Sequence, residues 1–398
     1  MNLFSLVLVS LGRNKRRTIL TMLSVVVALF LFCALRGVLD TLDASIKVSS
    51  EARLVTRNAI SLIFPLPLSY RERLTAIPGV KSVAHANWFG GRDPVDPGNF
   101  YAQFAVDAPN YLPMYTSDIE IVAADRPQVE TPVPPGIDPK LASFISERDA
   151  CVVGERLFKR MKWKLGQQVP VSGTIFPGTW TFTIRAVYHA KNPAFGEEAM
   201  LFHWKYLSEK GMNGQGIVGW YVLELADPAR AGDVIRSVDA MYANSAASTR
   251  TETERAFQAG FVSMYGNVPF LIGVIGLAVV FAILLVAANT MMMATRERTS
   301  EFGVMKTLGF DDGTIFRVVL AEAAIITLGG GALGALLAKL VIEGSGFNAG
   351  GLLPPMTVGW ATVATGIGIA VLMGATSGLV PAWQASRLKI VEALRRPE

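Results

Sequence analysis

The stretch Val268-Pro-Phe-Leu-Ile-Gly-Val-Ile-Gly-Leu-Ala-Val-Val-Phe-Ala-Ile-Leu-Leu-Val-Ala-Ala-Asn-Thr-Met-Met-Met-Ala-Thr295 contains no charged side chain. A helix needs about 20 apolar residues to cross a hydrocarbon core, so this stretch reads as a membrane span. Three others read the same way: Thr18 to Leu39, with Arg36 near its end, Val318 to Val341, and Val358 to Val380. Glu322 and Lys339 lie within a turn or so of the ends of the third span, where a long side chain can snorkel to the interface. Composition agrees with a membrane protein. Of 398 residues 51% are hydrophobic and 17% charged, and the mean hydropathy is +0.38, which excludes a disordered chain and argues against a wholly soluble one.

The first span is expected to stay in the chain. The cluster Arg13, Lys15, Arg16, Arg17 precedes an apolar run too long for a signal peptide, and no small-residue cleavage site follows it. Counting Lys and Arg in the short connections orients the spans. Residues 1–17, 296–317 and 381–398 hold four each, and residues 342–357 hold none. Both termini and the 296–317 loop are therefore expected on the cytoplasmic side. Residues 40–267 are expected outside, with 23 basic and 24 acidic residues. The pI of 9.2 then follows from the cytoplasmic excess of base and gives no support to nucleic-acid binding.

The outer segment has the turn signals and periodicities of an α+β domain. A helix Tyr70 to Ala76, a Pro78-Gly79 turn and a strand Val80 to Ala86 form one unit near its start. A strand Ile217 to Leu225 and a helix Pro228 to Ala243, with Ala231, Val234, Ile235, Val238, Met241 and Tyr242 on one face, form a related unit near its end. Together these predict one subdomain built from both ends of the segment. A second, mostly β subdomain is expected at about residues 140–215. It has a helix Gly154 to Met161 and a strand Trp180 to Tyr188 in which Phe182, Ile184, Ala186 and Tyr188 alternate with polar or small partners. Pro132, Pro134 and Pro135 suggest an extended connector between the two.

The loop after the second span reads Arg296-Glu-Arg-Thr-Ser-Glu-Phe-Gly-Val-Met-Lys-Thr-Leu-Gly309. As a helix it sets Phe302, Met305 and Leu308 along one side and Arg298, Glu301 and Lys306 elsewhere, with Gly309 suited to a left-handed cap. Periodicity alone leaves two readings open, a helix lying in the headgroup layer or one presented to a cytoplasmic partner. In the second, Glu301 and Lys306 form a polar edge while Phe302 and Met305 fill an apolar groove on the partner.

This segment, with its E-x-G-x-x-K-x-x-G ending, resembles the loop between the second and third membrane helices of the FtsX-like and MacB-like ABC transporter permeases. The likeness extends to Leu11 to Leu23 with Arg-Asn-Lys-Arg-Arg-Thr-Ile-Leu-Thr, and to Pro381-Ala-Trp-Gln-Ala-Ser-Arg-Leu and Glu392-Ala-Leu-Arg at the end. Cys151-Val-Val-Gly-Glu-Arg-Leu, Leu165-Gly-Gln-Gln-Val and the Phe182 to Val187 strand are similar to the family's outer core domain. The resemblance implies an α-helical membrane protein with four transmembrane helices and a large α+β, MacB-like extracytoplasmic domain inserted between helices 1 and 2. The implied divisions are a cytoplasmic amphipathic segment 1–17, spans 18–39, 268–295, 318–341 and 358–380, the outer domain 40–267, a coupling loop 296–317, an outer loop 342–357 and a tail 381–398.

The same resemblance implies a multi-pass protein of a bacterial plasma (inner) membrane. It would work as a homodimer or with a paralogue, alongside cytoplasmic ATPase subunits that engage Arg298, Glu301, Phe302, Gly303, Met305, Lys306, Leu308 and Gly309. Closure of those subunits would move the outer domain, the mode called mechanotransmission, to export or extract a substrate. A periplasmic adaptor and an outer-membrane channel are implied as further partners of a MacB-like exporter. Alternatives are a lipoprotein-releasing permease of the LolC or LolE sort, and FtsX-like signalling to a cell-wall hydrolase, whose outer domain is much smaller.

Unlike MacB itself, these residues hold no fused ATPase domain. No G-x-x-x-x-G-K-[ST] occurs, and Gly329-Gly-Gly-Ala-Leu-Gly334 lacks the Lys and the hydroxyl residue and lies in a span. A non-catalytic subunit without cofactor is therefore expected. Cys33 and Cys151 make no disulfide framework, and His85, His189 and His203 show no metal-ligand spacing. No G-x-S-x-G elbow suggests a hydrolase. Two G-x-x-x-G pairs, Gly330 with Gly334 and Gly374 with Gly378, allow close helix approach, at a dimer seam or, more often, within one chain. The aromatic group Trp88, Phe89, Phe100, Tyr101, Phe104, Tyr111 and Tyr115 reads as core or interface.

Overall fold

The computed structural model describes the chain except residues 1–11, 49, 97, 126–132, 134–136, 193–194, 264–267, 346–355 and 390–398. The proline-rich connector except Val133, the start of the N-terminal segment, most of the 342–357 loop and Glu392-Ala-Leu-Arg lie outside the described residues. The chain divides into two compact units. One holds residues 1–41, 267–347 and 355–398, the other residues 42–266 and 348–354.

In the membrane unit four helices are apolar and long enough to span a bilayer. They are α1 (Lys15–Val48), α9 (Val268–Glu297), α11 (Asp312–Ser345) and α12 (Trp360–Ser386). A short helix, α10 (Thr299–Thr307), joins α9 to α11. Glycine brings the helices together. A Cβ at Gly334 would sit 2.4 Å from the Val26 carbonyl oxygen, and one at Gly331 2.3 Å from Ala370 Cβ. Gly374 and Gly378 abut Thr327 and Ala323 in the same way. Both G-x-x-x-G pairs are thus used inside the chain, where backbones approach more closely than any larger residue permits. By contrast only 11% of the apolar window of α9 is buried, and its Phe270, Leu271, Leu277 and Phe281 are exposed.

The second unit lies between α1 and α9 in sequence. Its strands are β1 (Arg53–Asn58), β2 (Leu66–Pro67), β3 (Val80–Trp88), β4 (Gly91–Arg92), β5 (Ala102–Val106), β6 (Ile119–Ala124), β7 (Ala150–Gly154), β8 (Gln168–Gly173), β9 (Gly178–Ala190), β10 (Ala199–His203), β11 (Ile217–Val218), β12 (Trp220–Leu225) and β13 (Thr249–Thr253). Its helices are α2 (Tyr70–Thr75), α3 (Ala108–Tyr111), α4 (Ala142–Ser146), α5 (Glu155–Arg160), α6 (Trp204–Gly211), α7 (Ala231–Tyr242) and α8 (Glu254–Ser263).

Ten strands follow the order β13-β1-β12-β3-β5-β10-β7-β9-β8-β4, with β6 added on β9. The first four come from the two ends of the segment. The strands of residues 140–215 continue the same sheet because β10 pairs in parallel with β5, so the two groups share one hydrogen-bonded layer.

Side-chain alternation gives this sheet two apolar faces. Val83, Cys151, Val153, Phe202, Tyr221 and Leu223 face one core. Their neighbours Ala84, Val152, Leu201 and Val222 face the other. The alternation expected through β9 breaks at Arg185. Cys151 pairs with Ile184 and Val152 with Ala186, so Arg185 is the extra residue of a bulge. Phe182 and Ile184 therefore join the first core and Ala186 and Tyr188 the second, while the Arg185 guanidinium pairs with Glu147 and Asp125. The stretch Ile217 to Leu225 is likewise two strands, broken at Gly219, whose N–H donates to the Ala86 carbonyl at 3.0 Å. In α7, Val234, Val238 and Tyr242 are buried, while Met241 is 44% exposed, one position off the core face.

Candidate functional site

The α10 helix begins at a break. The long helix α9 stops at Glu297, Arg298 takes a non-helical conformation, and α10 restarts at Thr299. It stops at Gly309 (φ +89°). There the Gly309 N–H donates to the Lys306 carbonyl and the Phe310 N–H to the Met305 carbonyl, both at 3.1 Å, the paired closure of a Schellman cap that glycine adopts without strain.

Between these ends the eight expected residues divide by environment. Phe302 is fully buried, together with Ile315, Val319, Ala382 and Ala385, and Met305 packs partly buried beside it. The reading in which Phe302 fills a groove on a partner is corrected here. Its ring is already enclosed by α11 and α12 of its own chain. Gly303 is buried as well. The apolar side chains left exposed along α10 and its C-cap are Val304 (48%) and Leu308 (72%), with Gly309 after them. These two apolar side chains are four residues apart and so lie on one face.

The charged residues fix the helix to its neighbours. Lys306 Nζ donates to the Ser386 carbonyl at 2.6 Å and the Leu388 carbonyl at 2.9 Å, and it pairs with Asp312 Oδ1 at 2.7 Å. It thereby places a cation on carbonyls at the end of α12 that no further helical turn satisfies. Arg298 reaches Glu322 Oε2 at 2.8 Å and Glu301 Oε2 at 3.2 Å, and its guanidinium lies over the Phe302 ring. Glu301 also pairs with Arg13, and Glu297 with Arg17 at 2.6 Å. Sequence reasoning missed Glu322, Arg13, Arg17 and Glu297 as parts of this site. Their positions in the chain carry no signal, although a carboxylate inside an apolar span invites a search for its cation.

In the α+β unit the structure brings together Glu155, His189 and Glu197, which sequence spacing did not relate. His189 Nδ1 lies 3.0 Å from Glu155 and 2.7 Å from Glu197. Both carboxylates already hold a cation, Lys159 and Arg156 respectively, so the group reads as a surface ion network. Of the aromatic group, Phe89 and Tyr101 are buried in the first core and Tyr115 in the second.

The MacB-like periplasmic core domain matches residues 18–241, more than half of the chain, and the FtsX-like permease C-terminal domain matches residues 270–390. The macrolide export ATP-binding/permease protein MacB of Nitrobacter winogradskyi is 30% identical over 189 residues, covering 44% of this chain and 27% of that protein. The uncharacterized ABC transporter permease YknZ of Bacillus subtilis is 33% identical over 112 residues, covering 27% of this chain and 26% of that one. The chain thus spans about a quarter of the length of these relatives. The periplasmic region of MacB from Actinobacillus actinomycetemcomitans superposes with a TM-score of 0.36 at 8% identity, over 56% of this chain and 96% of that one. With one family domain covering more than half of its length and a second covering its three later spans, the chain belongs to the FtsX-like, MacB-like family of ABC transporter permeases, as a multi-pass membrane protein.

Proposed function

We propose that the chain is the permease subunit of an ABC transporter whose ATP is hydrolysed by separate subunits docking on α10. Both termini and α10 lie on the cytoplasmic side in this reading, and the α+β domain lies outside. Two such chains, or one with a paralogue, work together. Closure of the ATPase pair displaces α10, and the displacement reaches the outer domain through the membrane helices, driving export or extraction of a substrate on the far side.

One observation carries this reading. The exposed Val304 and Leu308 sit on a helix clamped to its own α11 and α12 by the Arg298–Glu322 pair and by the Lys306 contacts. A load on that apolar edge is therefore passed to two membrane helices instead of being dissipated in a loose loop. Apolar anchors at an interface contribute about 2 kcal/mol or more each, whereas exposed charges such as Glu301 contribute about 0–1 kcal/mol.

The test is co-purification from detergent with the ATPase encoded beside the gene. Leu308→Asp and Val304→Asp are expected to abolish recovery of the ATPase while leaving the melting of the chain unchanged, and Glu301→Ala to weaken it only slightly. Unchanged recovery with both aspartate variants would return α10 to the role of a helix floating on lipid.

A further inference from the structure

The outer domain holds a feature that coupling to an ATPase does not use. Strands β5 and β10 are adjacent and parallel, with Val106 opposite His203 at their ends. Each runs straight into a helix, β5 through Asp107 into α3 and β10 into α6. Adjacent parallel strands that both lead into helices leave a crevice beyond their C-terminal ends, where small molecules are commonly held. A cavity of about 800 Å³ opens at that point, within the size range of small-molecule sites.

Two aromatic side chains on the cavity wall are buried yet lack hydrogen bonds. His85 is 3% exposed and Trp204 8%, and their rings meet edge to face at 4.7 Å. Neither ring nitrogen of His85, nor Trp204 Nε1, has a hydrogen-bond partner among the described residues. The nearest carboxylate oxygen, Asp107 Oδ2, is 3.6 Å from His85 Nδ1, too far for a hydrogen bond. Buried polar atoms are ordinarily satisfied, by protein, water or ligand. The indole N–H can only donate. Burial, aided by the Arg71 charge, pulls the His85 pKa down to about 3, so the ring is neutral and offers one donor and one acceptor.

The surroundings favour negative charge. Arg71, Arg148 and Lys205 line the cavity against Asp107 and Glu72, a surplus of one positive charge. Arg71 is engaged by Asp107 at 3.3 Å and Arg148 by Glu209, while Lys205 has no ion pair among the described residues. The α6 helix has eight residues and no side chain capping its start, so its first-turn N–H groups and the positive end of its dipole add to the donors. Apolar side chains, Leu68, Val106, Pro109 and Ile145, complete the wall.

We propose that this cavity binds a small amphiphilic anion, a carboxylate with an apolar body. The carboxylate would accept from Lys205, the start of α6 and the Trp204 indole, and the body would lie against Leu68, Pro109 and Ile145. The site stands or falls independently of how the ATPase is coupled.

The test uses the full chain in lipid nanodiscs and two photoprobes, para-benzoylbenzoate and its neutral analogue para-benzoylbenzyl alcohol, with crosslinks mapped by mass spectrometry. Saturable labelling by the carboxylate is expected on the peptides carrying residues 68–72, 106–109, 145–148 and 203–206, with the alcohol labelling them at least about tenfold less, as loss of charged contacts predicts. Lys205→Glu with Arg148→Glu, both at the surface, is expected to cut the labelling by a similar factor with melting unchanged, and Trp204→Phe to cut it several-fold. Charge reversal at the distant Lys81 leaves labelling as it was. Equal labelling by the two probes, or labelling that survives the double reversal in a folded chain, would overturn the proposal.

Discussion

Lys306 illustrates how much one side chain holds in place. Its ammonium satisfies the Ser386 and Leu388 carbonyls and the Asp312 carboxylate, and the side chain is only 11% exposed. Lys306→Met keeps the alkyl stem and removes the charge. The expected cost is about 1–2 kcal/mol, the usual worth of a cation at a helix C-terminus in a partly buried setting. Phe302→Ala empties a filled core position and is expected to cost more, about 3–5 kcal/mol. Thermal melts of the purified chain in detergent, without any ATPase, check both. A Lys306→Met chain that melts like the parent would mean that the contacts to α12 carry no stability. In the sequence both residues looked like partner contacts. Helical spacing tells which side chains share a face but not what covers that face; here the cover comes from α11, which turns back against α10 after a short link, and from α12, some 80 residues further along the chain. Glu322 was legible as a carboxylate near a span end, but its cation Arg298 lies at the break between α9 and α10.

At the scale of elements, the four spans were legible because an uninterrupted apolar run of that length is costly to leave in water and fits a hydrocarbon core. The charge-free stretch 268–295 differs from α9 only at its final turn. The β-rich domain was less so. Its helices Tyr70–Thr75 and Glu155–Arg160 fall where periodicity put them, yet the β9 bulge at Arg185 changes which core each later side chain meets. Alternation cannot announce a bulge, since a charged residue within a strand reads equally well as one facing water. The glycine pairs were visible as a pattern, and the packing decides their use. Because the Val26 carbonyl oxygen lies 2.4 Å from where a Gly334 Cβ would be, any side chain there pushes α11 off α1. Gly334→Leu is expected to lower the yield of folded chain severely, and Gly344→Leu, at a position with open space around it, to be tolerated. Size-exclusion profiles in detergent compare the two, and equal monodisperse recovery would show that close approach at Gly334 is dispensable.

For the whole molecule the decisive property is the sidedness of the helices, and it rests on counts of Lys and Arg, not on net charge. Pairing of Arg298 with Glu322 and of Lys306 with Asp312 therefore leaves the orienting bias of the 296–317 loop intact. Single cysteines read out that sidedness only where the side chain is accessible. Ala385 is 1% exposed, so a thiol there would be shielded on either side of the membrane and decides nothing. Thr307 and Gln215 are both exposed and suit the purpose. The native Cys33 and Cys151 are fully buried and leave the background low. In intact cells, with the outer envelope made permeable, an impermeant maleimide is expected to label Gln215→Cys and to spare Thr307→Cys until the inner membrane is opened. Labelling of Thr307→Cys from outside would place α10 away from any cytoplasmic ATPase. The docking of such a subunit on Val304 and Leu308 would then fail together with the orientation.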